Sequence, residues 1–420
     1  MKGKFAFIVL FALAGGAYAA GQQPVPVYTF ICNGNAFLFQ GTCPQGGRPD
    51  SIIQASDGNF YGAAQDSMEG SSAPTGGTVY SLTPTGTFKL LHTFVPGANK
   101  LYAGGNLPGF VTEGPDGKIY GTTLFGGNKG CNGYCGYGVL YRVNKDGSAF
   151  QIIHKFCSQA NCADGANGGA LVVGSDGNLY GLSSYGGDAN CGITGGCGTI
   201  FRVTPSTGAF KVVLNFEVAT SGEAPSSLFV AADGTFYGNS FGTVSQLIFH
   251  YTEATGTLTT ALVKFPTFNG LPSRGAVSAF GPNGNLYGLY VIYATSGIGM
   301  FEVQTDGSNL QLFPFYNTIQ GGGSPDTYSL FLASDGNFWL PDFNGSTGYG
   351  DIISLSPNDG ALLQSLTPFS ASSSVGAYPD MLIQAKDGTL WGATDQFGKY
   401  TKGHFADGTV FSLNAGLPPR

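Results

Sequence analysis

The sequence predicts an all-β protein, a seven-bladed β-propeller of four-stranded blades whose ring is closed by the N-terminal strand. Three observations carry this. One short corner recurs seven times along the 420 residues. A third and a fourth strand signal follow the corners in a fixed order. One of the seven fourth strands is missing from the end of the chain and stands at its front.

The corner is clearest in "SDGNLYG" at Ser175, and returns as "SDGNFYG" at Ser56, "PDGKIYG" at Pro115, "ADGTFYG" at Ala232, "PNGNLYG" at Pro282, "SDGNFWL" at Ser334 and "KDGTLWG" at Lys386. Its period of about 55 residues is in the range of propellers and solenoids. Asp-Gly and Asn-Gly between apolar runs are the signature of a two-residue type I′ hairpin turn, which needs positive φ at both central residues. Each corner is therefore read as the hairpin joining the first two strands of a blade.

Third strands follow as "GTVYSL" at Gly77, "GVLYRV" at Gly138, "GTIFRV" at Gly198, "LIFHYT" at Leu247, "GMFEVQ" at Gly299, "DIISLS" at Asp351 and "GTVFSL" at Gly408. Fourth strands such as "FKLLHTF" at Phe88 and "FQIIHKF" at Phe150 come next, but only six lie after a corner. The seventh is "VPVYTF", Val25 to Phe30, which predicts that residues 25–30 pair with the last third strand. The near-continuous apolar strands suit sheets packed on both faces by neighbouring blades.

The unit "DGKIYGTTLFGGNKGCNGYCGYGVLYRVNKDGSAFQIIHKF" resembles the Gloeo/Verruco (GloVer) tandem repeat of secreted bacterial proteins, over roughly residues 48–413. Copies four to six depart from it: "GNSFGTVSQLIFHYT" lacks the Gly-Gly loop and "NFWLPDF" replaces the final Gly. The resemblance implies a secreted bacterial repeat protein and carries no activity with it.

The first residues, "MKGKFAFIVLFALAGGAYAA", place Lys2 and Lys4 before a short apolar run and then Ala17-Tyr18-Ala19, the pattern of a secretory signal peptide cut after Ala19. The expected organisation is a signal peptide over 1–19 and one propeller domain over 20–420, exported to the periplasm or beyond. No later run approaches the length of a membrane span. With 10% charged residues and a formal charge of −7, the chain is a poor match for nucleic acid or anionic membrane, while 33 Phe and 21 Tyr supply a large core. A monomer is expected.

The eight cysteines fall as local pairs: Cys32 with Cys43, Cys131 with Cys135, Cys157 with Cys162, and Cys191 with Cys197. All are placed in connections rather than strands. In an exported chain they read as disulfides clamping Gly-rich loops, although eight cysteines allow 105 pairings. Zinc at "CNGYC" or "CGITGGC" is the rival reading, and those loops contain no histidine.

In a propeller the first-to-second and third-to-fourth turns share one rim and the remaining connections share the other. Here the first set is short and uniform. The second is long and varied, as in "AQDSMEGSSAPTG" and "ATDQFGKYTKGHFAD", which places recognition on the variable rim. Candidate ligand-binding residues there are Phe125, Tyr134, Tyr137, Tyr185, Tyr349, Phe397, Tyr400 and His404. His92 and His154 read as packed strand residues and His250 as a polar strand position.

Proline marks the entry to six of the innermost strands, and the residue after it is Asp50, Asp326 or Asp380 in blades one, six and seven, which closure makes neighbours. These aspartates would form an acidic arc at the channel mouth. The candidate cofactor is a calcium ion held by the three carboxylates, since mutual repulsion favours an occupant. The bland alternative is a solvated rim of turn-forming residues.

Two functions remain open. The first is a binding module for an extracellular glycan or peptide, with no catalytic residues. The second is a lyase- or hydrolase-like enzyme with its site at the channel mouth, as in the streptogramin lyases, whose corners look similar. Fold alone does not decide between them.

Overall fold

Each corner folds as a hairpin, but of a different type from the one expected. In the computed structural model Gly58 N–H bonds the Ala55 carbonyl at 3.0 Å and Ala55 N–H bonds the Asn59 carbonyl at 2.9 Å. Only the glycine takes positive φ (84°); the aspartate does not. This is a type I turn closed by a left-handed glycine in a G1 bulge, a three-residue loop rather than the type I′ pair. All seven corners repeat it, at Gly58, Gly117, Gly177, Gly234, Gly284, Gly336 and Gly388.

The aspartate is selected by hydrogen bonding rather than by φ. Its Oδ1 accepts the backbone N–H two residues on at every corner, for example from Asn59 at 3.1 Å and Asn178 at 3.0 Å. Its Oδ2 accepts from the aromatic residue four positions on: Tyr61 at 2.8 Å, Tyr120 and Tyr180 at 2.9 Å, and Trp339 Nε1 at 3.2 Å. Asn283 reverses the roles and donates to Tyr287 at 3.0 Å. The motif thus ties the turn to the second strand.

The structure describes residues 23–35, 40–65, 76–95, 105–127, 136–188, 191, 195–241, 246–263, 265, 267–268, 271–272, 274–292, 297–315, 330–343, 348–366, 369–399 and 404–420. Seven antiparallel sheets form the blades of an all-β propeller. Blade one is Pro49–Gln54, Phe60–Ala64, Thr78–Leu82 and Phe88–Thr93. Blade seven is Ala377–Gln384, Leu390–Gln396 and His404–Leu413, completed by the N-terminal strand Val25–Asn35. That strand pairs Val25 with Ser412, Tyr28 with Val410 and Asn33 with His404, as closure requires. It runs past the expected Phe30 and takes on a fifth strand, Gln40–Thr42. Among the described residues no helix is long and apolar enough to cross a membrane.

Cys32 therefore lies in a strand, against the expectation that every cysteine sits in a connection, because pairing with the last strand continues to its position. Three of the four expected local disulfides are present: Cys32–Cys43, Cys157–Cys162 and Cys191–Cys197. Cys131 and Cys135 lie outside the described residues.

Neighbouring blades meet at one repeated joint. The residue before the entry position is left-handed in five blades, Arg48, Leu107, Asn167, Ala224 and Tyr378; proline follows it in all but Asn167, which is followed by Gly168. Its N–H reaches the previous blade, bonding the carbonyl of Asp407, Gly76, Tyr137, Cys197 and Tyr349 respectively at 2.7–3.0 Å. The glycine after that carbonyl has positive φ, and at the four joints that carry a proline it lies under that proline. A Cβ on Gly77 would come within 2.5 Å of Pro108, on Gly198 within 2.6 Å of Pro225, and on Gly350 within 2.1 Å of Pro379. At the junction of blades seven and one the pair is Gly408 and Pro49, 2.5 Å by the same measure. The ring closes with the same joint that links its internal blades.

Within blades, the glycine ending the corner motif faces an aromatic residue of the third strand in six blades: Gly62–Tyr80, Gly121–Tyr141, Gly181–Phe201, Gly238–Phe249, Gly288–Phe301 and Gly392–Phe411. The ring crosses the space a side chain would fill; a Cβ on Gly121 would sit 2.3 Å from the Tyr141 hydroxyl. Blade six, which departs from the motif, pairs Leu340 with Ile353 instead. Both partners have changed, so the volume is filled by two aliphatic chains. Between blades, cores such as Phe30, Trp391 and Val410 against Ile52, Phe60 and Tyr80 seal the closing junction. Phe60 stacks on Trp391 at 3.7 Å. Each such large side chain stabilises the fold by about 1.5–3 kcal/mol.

Removing residues 23–31 should leave the last blade with an open edge and an uncovered core, giving aggregation or loss of a single cooperative transition in calorimetry. An unchanged melting profile would contradict closure by this strand. Gly408→Ala should cost about 2–3 kcal/mol, from left-handed strain and collision with Pro49, and Gly198→Ala a similar amount. Urea unfolding of both variants measures this, and a neutral Gly408→Ala would show that the closing joint bears no load.

Candidate functional site

The joint also aims the mouth carboxylates. After the left-handed residue and the proline comes a β-bulge: the pairing register skips between Pro49 and Ser51, and again between Pro379 and Met381. Asp50 and Asp380 are the extra residues of these two bulges, and bulges re-aim side chains out of the regular alternation. Proline is tolerated there because the innermost strand is a sheet edge.

Asp50 and Asp380 lie close enough to act on one another, and a third carboxylate, Asp395, acts on both. Asp395 comes from the second strand of blade seven, not from the connection in which it was placed by sequence. Arg48 Nε stands 3.7 Å from Asp395 Oδ1, and Gln396 Nε2 donates to Asp395 Oδ2 at 3.2 Å. Asp50 accepts a hydrogen bond from the Gln65 side chain. Tyr80 donates to the Ser51 carbonyl at 3.2 Å beneath them.

All three carboxyls are harder to ionise than usual. Burial, reinforced by the Asp395 charge and opposed by Gln65, pushes Asp50 up to about 6. Burial and then the charges of Asp50 and Asp395 push Asp380 well above the ordinary range. Burial raises Asp395 too, against the pull of Arg48. The Tyr80 hydroxyl is raised by burial and then by Asp380 and Asp50. Among the described residues, Asp380 Oδ1 and Arg48 Nε are buried without a hydrogen-bond partner.

Beside the carboxylates stands a group of half-buried aromatic rings. Tyr378, two residues before Asp380, stacks on Phe343 at 5.0 Å and lies 6.1 Å from Tyr349 and 6.3 Å from Phe397. Of the residues expected from sequence, Asp50, Asp380, Tyr349 and Phe397 thus belong to blades six, seven and one around one mouth. Phe125, Tyr137 and Tyr185 belong to blades two and three; Tyr185 is exposed, and Tyr137 packs against the core between those blades. His404 opens the last strand, opposite Asn33. Tyr134, Asp326 and Tyr400 lie outside the described residues.

His92 and His154 are packed strand residues, and His250 lies on the third strand of blade four. His92 stacks on Phe150 at 3.4 Å, and burial lowers its pKa to about 4. His154 stacks on Phe210 at 3.7 Å and bonds the buried Asp164 at 2.9 Å, which also receives the Ser158 hydroxyl.

Among the described residues, the one group of three metal-ligating side chains whose ligand atoms all lie within 4.8 Å is Cys32, Cys43 and Asp407. Its two sulfurs are spent in a disulfide. Asp50, Asp380 and Asp395 do not form such a preassembled set.

Sequence reading missed Asp395, Arg48, Gln65, Tyr378 and Phe343. A signal existed for the first and third. The position after the second-strand core reads Gln65, Leu124, Ser184, Phe241, Val291, Phe343 and Asp395 around the ring, so hydrogen-bonding amide and carboxylate groups fall in blades one and seven. Arg48 and Tyr378 occupy the left-handed position, which no local pattern marked.

No curated protein matches the chain in sequence. Solved structures that resemble it share its fold: an oligogalacturonate lyase in complex with manganese (12% identity, 95% of each chain covered, TM-score 0.53); a fungal alcohol oxidase of the AA5 family in complex with copper (12% identity, 89% of this chain and 79% of that one, TM-score 0.51); and a puromycin hydrolase (13% identity, 84% of this chain and 51% of that one, TM-score 0.52). The model of the Gloeobacter/Verrucomicrobia repeat matches residues 48–289, more than half of the sequence. With the corner, joint and blade pattern continuing to the last strand, the chain belongs to the Gloeobacter/Verrucomicrobia repeat family.

Proposed function

We propose that this is an exported binding module that takes a carbohydrate at the channel mouth of blades six, seven and one. The observation that carries the reading is the juxtaposition of aromatic rings with carboxylates on the variable rim. Tyr378 and Phe397 offer flat apolar faces of the kind that stack on pyranose rings, backed by Phe343 and Tyr349, which pack against the blade cores. Asp50, Asp380 and Asp395 offer acceptors for hydroxyl groups, and Asp380 Oδ1 has no donor among the described residues. The disulfide Cys32–Cys43 fixes the chain leading into Arg48.

An enzyme reading of the same mouth is favoured by the contrast between Asp380, whose carboxyl burial makes hardest to ionise, and Asp395, paired with Arg48. Such an acid beside a carboxylate is the arrangement that general acid catalysis uses. It predicts products from the bound saccharide that disappear in Asp380→Asn.

A glycan array followed by titration calorimetry tests the binding reading. A saccharide hit should weaken about tenfold or more in Tyr378→Ala and in Phe397→Ala. Equal affinity in both variants, or hits confined to peptides, would overturn it.

The mouth should also cost stability. A carboxyl whose folded pKa is raised favours the fold while protonated and opposes it as pH rises through that value. Asp380→Asn should therefore melt higher than wild type at pH 8, with the gain shrinking as the pH falls to 4. Calorimetry across this range decides the matter, and a lower melting point at pH 8 would contradict it.

A further inference from the structure

We propose that the saccharide bound at this mouth carries a free, protonated amino group, held between Asp380 and Asp50 with its ring face on Tyr378. The inference rests on the carbohydrate reading above and names the class of ligand.

The first argument is charge. Three carboxylates meet here, and Arg48 is the one cation acting on them among the described residues. Arg48 is engaged with Asp395, at 3.7 Å. Gln65 gives Asp50 only a neutral donor. Asp407, on the other side of Arg48, receives that residue's backbone N–H through its carbonyl and brings a further acid rather than a cation. Ionising Asp50 and Asp380 together thus lacks a counter-charge from the described residues.

The second argument is the sealed oxygen. Asp380 Oδ1 is buried and has no hydrogen-bond partner among the described residues; the backbone N–H groups of Asp380 and Met381 act on the carboxyl without offsetting its burial, and an acceptor left in this way is costly unless something supplies an N–H or O–H. An ammonium group supplies three donors and a positive charge at once.

The third argument separates an amine from a metal ion. A calcium ion takes six to eight oxygen ligands, and aromatic rings provide none of them. The three carboxylates are not drawn together to a common ligand distance. The rings at Tyr378, Phe343 and Phe397 do favour an organic cation, through attraction between the charge and the ring face. A neutral sugar would use the rings and leave the carboxylates uncompensated. An amino sugar uses both.

Calorimetry with three hexasaccharide probes tests the inference at pH 6.5: fully deacetylated glucosamine, its N-acetylated counterpart, and neutral cellohexaose. Wild type should prefer the free amine over the N-acetylated form by about tenfold or more. Asp380→Asn, and separately Asp50→Asn, should collapse that ratio towards one, while Tyr378→Ala should weaken both ligands. Equal binding of the two glucosamine forms by wild type would overturn the amine while leaving the carbohydrate reading standing. Failure of all three probes would remove both. A preference that survives in both Asn variants would reduce to general attraction by an acidic protein, and displacement of the amine by millimolar calcium would assign the carboxylates to a metal ion instead. Either result overturns the inference.

Discussion

The contact on which the rest of this ring depends is the joint between blades, a left-handed residue and a proline seated over a glycine of the blade before. A blade with two apolar faces cannot stand alone, so the stacking geometry must be set as firmly as the strands themselves. The joint does this with one backbone hydrogen bond and one close van der Waals contact. Gly408 under Pro49, with Arg48 N–H on the Asp407 carbonyl at 2.7 Å, repeats Gly350 under Pro379 with Tyr378 on Tyr349. The closing junction is therefore one more copy of the internal one, made between the first blade and a blade assembled from both ends of the chain. Non-glycine residues in the left-handed region cost about 1–2 kcal/mol each. That five blades retain one there indicates how much the joint contributes in return.

On the opposite rim a second set of ties runs between blades, and only part of the way round. The last residue of the innermost strand reaches the corner of the blade before it. Gln384 accepts the Ser334 N–H at 2.9 Å, Gln54 accepts the Lys386 N–H at 2.8 Å, and Glu113 accepts both the N–H and the hydroxyl of Ser56 at 2.6 Å. Lys145 adds an ion pair to Glu113 at 2.6 Å. Blades three to six carry Val173, Val230, Phe280 and Leu332 at that position, which cannot make the bond. The C-terminal residues add to the same side, where the Pro418 carbonyl accepts from Ser334 and Gln384. These ties span junctions six to seven, seven to one and one to two.

The parts of this architecture that repeat were legible in the sequence, because repetition averages out local ambiguity. Seven corners, the order of the strands and the pairing of the N-terminal strand with the last one follow from patterns that recur, and a single departure such as "NFWLPDF" is explained once Leu340 is seen opposite Ile353. The turn type was misread because Asp-Gly suits a type I′ pair and a type I turn with a G1 bulge equally well in composition. The choice is made by the hydrogen bonds of the aspartate to the second strand, at positions two and four residues on, which no dipeptide rule contains. The mouth was half legible. Asp50 and Asp380 stand out because they follow a repeated proline, whereas Asp395 and Tyr378 become neighbours only through blade packing.

The placement of the acids then has a physical logic. Asp50 and Asp380 are extra residues of bulges that the joint creates, so their direction is fixed by the same contact that fixes the ring. Blades two, three and four fill the position with Gly109, Gly169 and Ser226, residues that carry no charge. Where blades seven and one meet, two carboxylates occupy it and a third approaches, and their repulsion acts on the junction that joins the two ends of the chain. On the far rim the Gln54 tie spans that same junction and the Gln384 tie spans the one before it, along with the docked C-terminal residues. A destabilising cluster of charge at one end of a blade and added hydrogen bonds at the other are what a rigid site held against its own repulsion requires.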